Sequence, residues 1–395
     1  MSSTRVHSGL DVLVRDRFQL FRGKRIGLIT HPAAVDREMR HVGDLLLHAP
    51  NLELVALFGP EHGLFGTAQD LISVRGSEVA KERIRIVSLY GDTFDSLKPA
   101  PAQLTGVDAL VIDLQDVGSR YYTFQATMLL CMQAASEIGL PVWVLDRPNP
   151  LGGDAVEGPT IAPGYESFVG IHPIAVRHGM TIGELARLYH AELELRCELS
   201  VVACEGWRRS MWFDETGLPW VMPSPNMPTL DTAAVYPGQC LLEGTNLSEG
   251  RGTTRPFELC GAPGIDPRAV VDRLNSEQWP GVRFRPVWFQ PTFQKHAGAI
   301  CGGVQFHVLD RPSFQPVRTG AAVLIALREA ARSTFDWRQT TYEFVSDRLA
   351  IDLLFGSPRE RLAIEAGIDA RGVSNSWAEE ERQFRNRRQN YLIYD

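Results

Sequence analysis

Residues 52–66 read LELVALFGPEHGLFG. After Glu53 the run is apolar without alternation, the pattern of a strand covered on both faces. It stops at Gly59 and Pro60, and Glu61 and His62 follow at once, among Gly63 and Gly66. A buried strand that hands over directly to an acid, a histidine and glycines reads as a strand end on a ligand-bearing rim. Four more runs share its texture: KRIGLIT (24–30), RIRIVSLYG (83–91), DALVIDLQ (108–115) and PVWVLDR (141–147). Between them, DREMRHVGDLLLHA (36–49) and FQATMLLCMQAASEIG (124–139) have helical spacing, the second closed by Gly139 and Pro141. Strand and helix alternating at this interval predict a Rossmann-like, doubly wound parallel sheet.

The pattern continues with TIGELARLYHAEL (181–193), where Thr181 and Glu184 form a capping box, and with LSVVACEGW (199–207) as a sixth strand. From about 215 the chain becomes dense in proline, and the expected domain boundary lies near 235. Residues 1–235 form the α/β domain and 236–395 a smaller α+β domain. The latter holds RAVVDRLNS (268–276), VRFRPVWFQ (282–290), CGGVQFHVLD (301–310), an amphipathic helix at 317–332 and a charged, arginine-rich tail. A length of 395 residues suits two such domains.

Charge narrows the partner. A net charge of −7 supplies no basic field for nucleic acid or anionic lipid, so neither nucleic acid nor membrane is an expected partner. A small molecule or neutral polymer is. No apolar run approaches the ~18 residues a bilayer span needs. Asp11, Arg15, Asp16 and Arg17 interrupt the only apolar stretch near the start, which predicts a cytoplasmic address, and the six scattered cysteines read as reduced core residues.

In an open parallel sheet, ligands bind beyond the carboxyl ends of the strands. The five strand ends deliver His31; Glu61 and His62; Tyr90 and Asp92; Asp116, Arg120, Tyr121 and Tyr122; and Asp146, Arg147 and Asn149. No GxGxxG follows the first strand, so the sheet does not imply a dinucleotide, and the phosphate-loop, zincin and nucleophile-elbow motifs are absent from the sequence. What is left is carboxylate chemistry with polar recognition of a sugar kind, and cleavage of a glycosidic bond uses a pair of carboxyl groups. Glu61 is the candidate acid, because desolvation at a strand end favours the protonated form of a carboxyl. The alternative is that Glu61 caps the next helix and His62 packs beneath it. Asp113, Asp116 and Asp146 carry the same alternative as acceptors of turn hydrogen bonds. Beyond the boundary, CLLEGTNLSEGRGTTRPFE (240–258) sets Glu243, Asn246, Glu249, Arg251 and Arg255 in a glycine-rich loop, either at a ligand or held by local salt bridges. PSPNMPT (223–229) contributes Asn226. These loops facing the first rim would form a cleft.

At these motifs the chain resembles the exo-β-N-acetylmuramidases of the NamZ type, long grouped as a domain of unknown function. The resemblance rests on GPEHGLFG, SLYG, DLQDVGSRYYT, LDRPNPLGG, VEGP, FVGIHPIAVRHGMTIGELARLYH, PSPNMPT and EGTNLSEGRGTTRPFE, in the family's order over about residues 24–260. It implies a site between a Rossmann-like domain and a smaller C-terminal one. The implied activity is release of a terminal N-acetylmuramic acid from the non-reducing end of peptidoglycan fragments, with no cofactor and no metal. It also assigns catalysis to the glutamate of the PEHG motif, here Glu61. THPAAVD (30–36) departs from the asparagine-rich turn usual after the first strand.

The expected mechanism has Glu61 as general acid, with His62 and Asp116 positioning it or the attacking group. Asp116, Glu243 and Glu249, in that order, are candidates for the second carboxylate, and the sugar's 2-acetamido group is an alternative nucleophile. Arg251, Arg255 or Arg120 would fork onto the lactyl carboxylate. Tyr121 and Tyr122 offer faces to the ring, and Asp146, Asn149, His178, Asn226 and Asn246 are further candidate contacts. Two rivals differ in kind: a metal-assisted amidase or esterase built on His31, His62, His172 or His178, and a sugar-binding protein without turnover.

Overall fold

Six short apolar runs lie side by side in the computed structural model of the chain, which describes residues 5–64, 66 and 84–395. They are β1 (Arg25–Thr30), β2 (Glu53–Gly59), β3 (Arg85–Ser88), β4 (Ala109–Asp113), β5 (Val142–Leu145) and β6 (Leu199–Val202). All pair in parallel, in the order β3-β2-β1-β4-β5-β6. Alternate residues serve two separate cores: Ile26, Leu28, Ala109 and Val111 face one, Ile29, Ala56, Leu110 and Ile112 the other. Burial on both faces is why the runs read as continuous rather than alternating. The fold is thus the doubly wound α/β sheet expected, with a smaller α+β region after it.

That second region has a three-stranded antiparallel sheet, β7 (Leu259–Ala262), β8 (Val282–Phe289) and β9 (Cys301–Val308), ordered β7-β9-β8. β7 and the helix Leu230–Gln239, within the proline-dense stretch, carry no periodicity that marks them. Over 36–49 only Val42–Leu47 is helical, because Asp36 Oδ1 collects the N–H groups of Glu38 and Arg40, each at 2.9 Å, into a turn. The charged tail folds into the helices Ala350–Phe355, Arg359–Glu365, Ala370–Asn375 and Ala378–Arg388. All six cysteines are buried and unbridged. Among the described residues no helix is long and apolar enough to cross a membrane.

The sheet's direction of winding switches between β1 and β4. There His31 Nε2 accepts from the Gln115 N–H at 2.9 Å, so the ring proton sits on Nδ1, facing the Pro223 carbonyl at 3.4 Å. Burial pushes the His31 pKa well below the usual value and keeps the ring neutral. Phe213 and Trp220 lie over the same crevice, against Gln115 and Arg147.

Three contacts lock the halves together. Arg120, fully buried, donates to the carbonyls of Pro159, Ile174, Leu354 and Phe355 at 2.7–3.0 Å. The helices Leu230–Gln239 and Pro316–Ala331 touch backbone to backbone: a Cβ on Gly238 would lie 2.0 Å from the Pro316 oxygen, and one on Gly320 2.4 Å from the Gly238 Cα. Asp146 is a hub for the chain's end. Its Oδ1 accepts from Arg147 and Gly183 N–H groups, and its Oδ2 from Thr181 at 2.7 Å and the Tyr394 hydroxyl at 2.5 Å.

Burial raises the Asp146 pKa from 3.8 to about 6, against the opposing pull of its hydrogen bonds. Between those values the folded chain binds more protons than the unfolded one, so this group's contribution is greatest below pH about 4 and falls as pH rises to about 6. Asp146→Asn is expected to remove that slope. Measured by urea unfolding, wild type should lose on the order of 2–3 kcal/mol relative to the variant between pH 4 and pH 7; parallel curves would refute the assignment.

Candidate active site

β2 delivers Glu61 on a tight turn closed by the Gly63 N–H on the Pro60 carbonyl, 3.0 Å. The turn doubles back so closely that a Cβ on Gly59 would meet the Leu64 nitrogen at 2.6 Å. His62 takes a left-handed backbone, φ 70°, uncommon for a residue with a side chain and of the kind that clusters at functional sites. Glu61 is only 6% exposed, and its Oε2 accepts from the Thr123 hydroxyl at 2.7 Å. Thr123 stands at the head of the helix Phe124–Ile138, so the β2 turn is tied to the end of the β4 loop.

Around Glu61 lies a pocket between the sheet's rim and the C-terminal region. One side is aromatic: Tyr122 meets Phe124 and Tyr236 edge-on at 4.8 and 6.0 Å, and Tyr236 meets Phe257 at 4.8 Å. Burial pushes the Tyr121 and Tyr122 phenols up, so both stay neutral. Ser224, Asn226 and Met227, from the PSPNMPT loop, form another stretch of wall.

The C-terminal region supplies the charge. Glu243 Oε1 accepts from Arg251 at 2.7 Å and its Oε2 from the Tyr342 hydroxyl at 2.7 Å, while the Arg251 guanidinium lies 4.9 Å over the Phe257 ring. Burial opposes ionisation of Glu243, but Arg251, Tyr342 and Lys295 together overcome it and hold the carboxyl below its ordinary value. Glu343 lines the pocket next to Tyr342 and accepts from the Tyr90 hydroxyl at 3.1 Å.

Of the residues singled out from the sequence, Glu61, His62, Tyr121, Tyr122, Asn226, Glu243 and Arg251 are brought together at this pocket. The others lie outside its lining. Asp116 is buried behind Tyr122; its Oδ2 accepts from Gly118 at 2.6 Å and is 3.3 Å from His178 Nε2. The Met180 N–H donates to His178 Nδ1, which leaves the ring proton on the Asp116 side. Asp113 receives Arg147 through both carboxylate oxygens. Asn149 bridges the Met180 carbonyl and the Leu151 N–H, and Asn246 pins the segment around Thr334 and Asp336. Glu249 is ion-paired to Lys295 at 2.9 Å, and Arg255, largely exposed, pairs with Glu258 at 2.9 Å. Arg120 and Asp146 are the two locks described above. Thr123, Val169, Tyr236, Phe257, Tyr342 and Glu343 also line the pocket without having been singled out. Thr123 and Phe257 had a sequence signal, the first closing the RYYT motif and the second lying in GRGTTRPFE. Among the described residues no group of three or more His, Cys, Asp or Glu side chains is arranged to hold a metal ion.

The model of the N-terminal domain of exo-β-N-acetylmuramidase NamZ matches residues 26–231, and that of the C-terminal domain matches 234–394. The chain belongs to the NamZ family. Peptidoglycan β-N-acetylmuramidase NamZ of Bacillus subtilis (strain 168) is 46% identical to it over 99% of this chain and 92% of that protein. Two crystal structures of DUF1343 family proteins from Bacteroides fragilis NCTC 9343 share this NamZ fold. One has a TM-score of 0.89 at 33% identity and the other 0.78 at 28%, each covering 99% of both chains.

The buried pair at the pocket makes a direct prediction. Arg251→Met leaves Glu243 without its guanidinium and is expected to cost about 3–5 kcal/mol. Adding Glu243→Gln should recover at least ~1 kcal/mol of that loss, because the stranded charge is gone. A double-mutant cycle by chemical denaturation checks this, and strictly additive losses would show the two residues to be uncoupled.

Proposed function

We propose that the protein is a glycosidase that releases a terminal β-linked N-acetylmuramic acid from the non-reducing end of peptidoglycan-derived saccharides, with Glu61 as general acid. Beside membership of the NamZ family, the observation that carries this reading is the placement of Glu61, buried at the pocket with one carboxyl oxygen fixed by Thr123. With Oε2 engaged as an acceptor, the acidic proton belongs on Oε1 and passes to the glycosidic oxygen as the bond to the sugar's C1 breaks. The left-handed His62 pins the turn that aims the carboxyl. Arg251 brings a guanidinium to the lining, and it meets the lactyl carboxylate that distinguishes muramic acid from glucosamine. Tyr121, Tyr122 and Tyr236 give the ring an apolar surface, and Asn226 adds a polar contact. In this reading the boundary between the two units falls near 235, with Glu61 on one side of the cleft and Arg251 on the other.

The test uses purified protein with a β-N-acetylmuramyl disaccharide, a nitrophenyl β-N-acetylmuramide and the corresponding glucosaminide. Wild type should cleave both muramides and prefer them to the glucosaminide. Glu61→Gln should lose ~10²–10⁴-fold in kcat on the disaccharide, whose leaving sugar needs a proton, and distinctly less on the nitrophenyl compound, whose leaving group does not. No release by wild type from any of the three ends the glycosidase reading. Equal losses on the two muramides end only the acid assignment.

A further inference from the structure

No residue of LDRPNPLGG (145–153) lines the Glu61 pocket, although the motif follows β5 as directly as PEHG follows β2. Its end serves a second cavity, of about 740 Å³. Residues 151–155 after β5 and 209–215 after β6 form one side, and residues 308–312 at the end of β9 form the other. That volume suits a small molecule, and the place is one where ligand sites concentrate: beyond the carboxyl ends of parallel strands and between two regions of the chain. Among the described residues the two cavities share no lining side chain.

Arg177 gives this cavity its chemistry. It lines the wall at 5% exposure, and among the described residues no carboxylate stands within ion-pairing distance of its guanidinium. Nη2 donates to the Leu151 carbonyl at 2.8 Å, Nε is buried without a hydrogen-bond partner, and the group lies 5.5 Å over the Trp212 ring. Burial pulls its pKa down, and the acids that oppose this, Glu157 and Asp154, act only at longer range. Glu157 is committed to Arg318, whose N–H it accepts at 2.8 Å, and Asp154 is exposed at the mouth. A second guanidinium in the wall, Arg209, is already taken up by both oxygens of Glu184. A buried cation that no carboxylate neutralises is costly, and in a cavity wall an incoming anion relieves that cost.

The mouth selects the rest of the ligand. Asp154, Glu215 and Asp310 are exposed around it, and Arg311 beside them is offset by Asp214 at 2.7 Å and Asp231 at 3.6 Å. A cation on the floor beneath an acidic rim disfavours a multiply charged anion such as phosphate. It suits a single carboxylate on a body that offers hydroxyl or ammonium donors to the rim. We propose that this cavity is a second ligand site, separate from the Glu61 pocket, which binds a donor-rich monocarboxylate through Arg177. A carboxylated sugar and a short peptide share that chemistry.

Isothermal titration of the whole protein tests this with four probes: free N-acetylmuramic acid, the dipeptide alanylalanine, N-acetylglucosamine, which lacks the carboxylate, and inorganic phosphate. At least one of the two carboxylates should bind, and Arg177→Gln should weaken that binding at least ~30-fold. Which of them responds tells a sugar ligand from a peptide one. Asp154→Asn, at an exposed rim position, should tighten the same binding about 2–5-fold, so the two variants move it in opposite directions. Inhibition of muramide hydrolysis by N-acetylmuramic acid reports on the Glu61 pocket instead and should be equal in wild type and Arg177→Gln. If Arg177→Gln does not fold, the rim variant decides alone. Carboxylate titrations that Arg177→Gln leaves unchanged, weaker binding in Asp154→Asn, or an Arg177-dependent component equally strong with N-acetylglucosamine or phosphate would each overturn the proposal. The titrations need no turnover, so loss of the glycosidase reading and loss of this one are told apart.

Discussion

One buried guanidinium holds the rim of the pocket to the rest of the molecule. Arg120 has no ion-paired carboxylate among the described residues, and burial lowers its pKa. Its charge is balanced instead by four carbonyl dipoles, two on loops of the first region and two at the end of the helix Ala350–Phe355. Leaving any of those carbonyls unpaired inside the protein is costly, on the order of 1–3 kcal/mol each. The next three residues in sequence are Tyr121, Tyr122 and Thr123, all in the pocket lining. The C-terminal helices therefore set the position of the group that holds Glu61, although they contribute nothing to the β-sheet that carries it.

Among the described residues that line it, the pocket assembled in this way is rich in carboxyl groups. Three carboxyl groups, Glu61, Glu243 and Glu343, share it with the Arg251 guanidinium. Hydrogen bonds tie each acid to a different neighbour: Glu61 accepts from the Thr123 hydroxyl, Glu243 from Arg251 and the Tyr342 hydroxyl, and Glu343 from the Tyr90 hydroxyl.

The sheet was legible because its evidence is local and repeated. Each strand is buried on both faces, so each reads as an unbroken apolar run, and the strand ends named the rim. The glycines around Glu61 and Arg251 were equally informative, because close backbone turns leave a mark in sequence. Where sequence reading fell short, the cause was geometric. Asp116, Arg120, Asp146 and Asn149 look like ligand groups at strand ends, and a sequence cannot tell a side chain that faces a pocket from one turned back to bind its own backbone. Tyr342 and Glu343 lie in TTYEFVSD, with no glycine, no apolar run and no motif. They reach the pocket only because a chain about 100 residues beyond the glycine-rich loop folds back across it. The charged, arginine-rich tail carried no sign of a buried task, yet Arg388 is buried and donates to the carbonyls of His178, Gly179 and Asp154.

The contact between Gly238 and Gly320 reaches further than packing. Tyr236, part of the pocket's aromatic side, sits two residues before Gly238 on a helix that rests on its neighbour with no side chain between them. A seam of that kind has no slack. The helix can neither sink, since backbone already meets backbone, nor rise without opening a void along the whole seam. Depth of the pocket at Tyr236 is therefore fixed by the fold, whereas its breadth is set by side chains on the surrounding loops. Evolution of new sugar preference on this scaffold is channelled accordingly: relatives can widen or narrow the cleft by exchanging loop residues, but a deeper one would need a different crossing of these two helices.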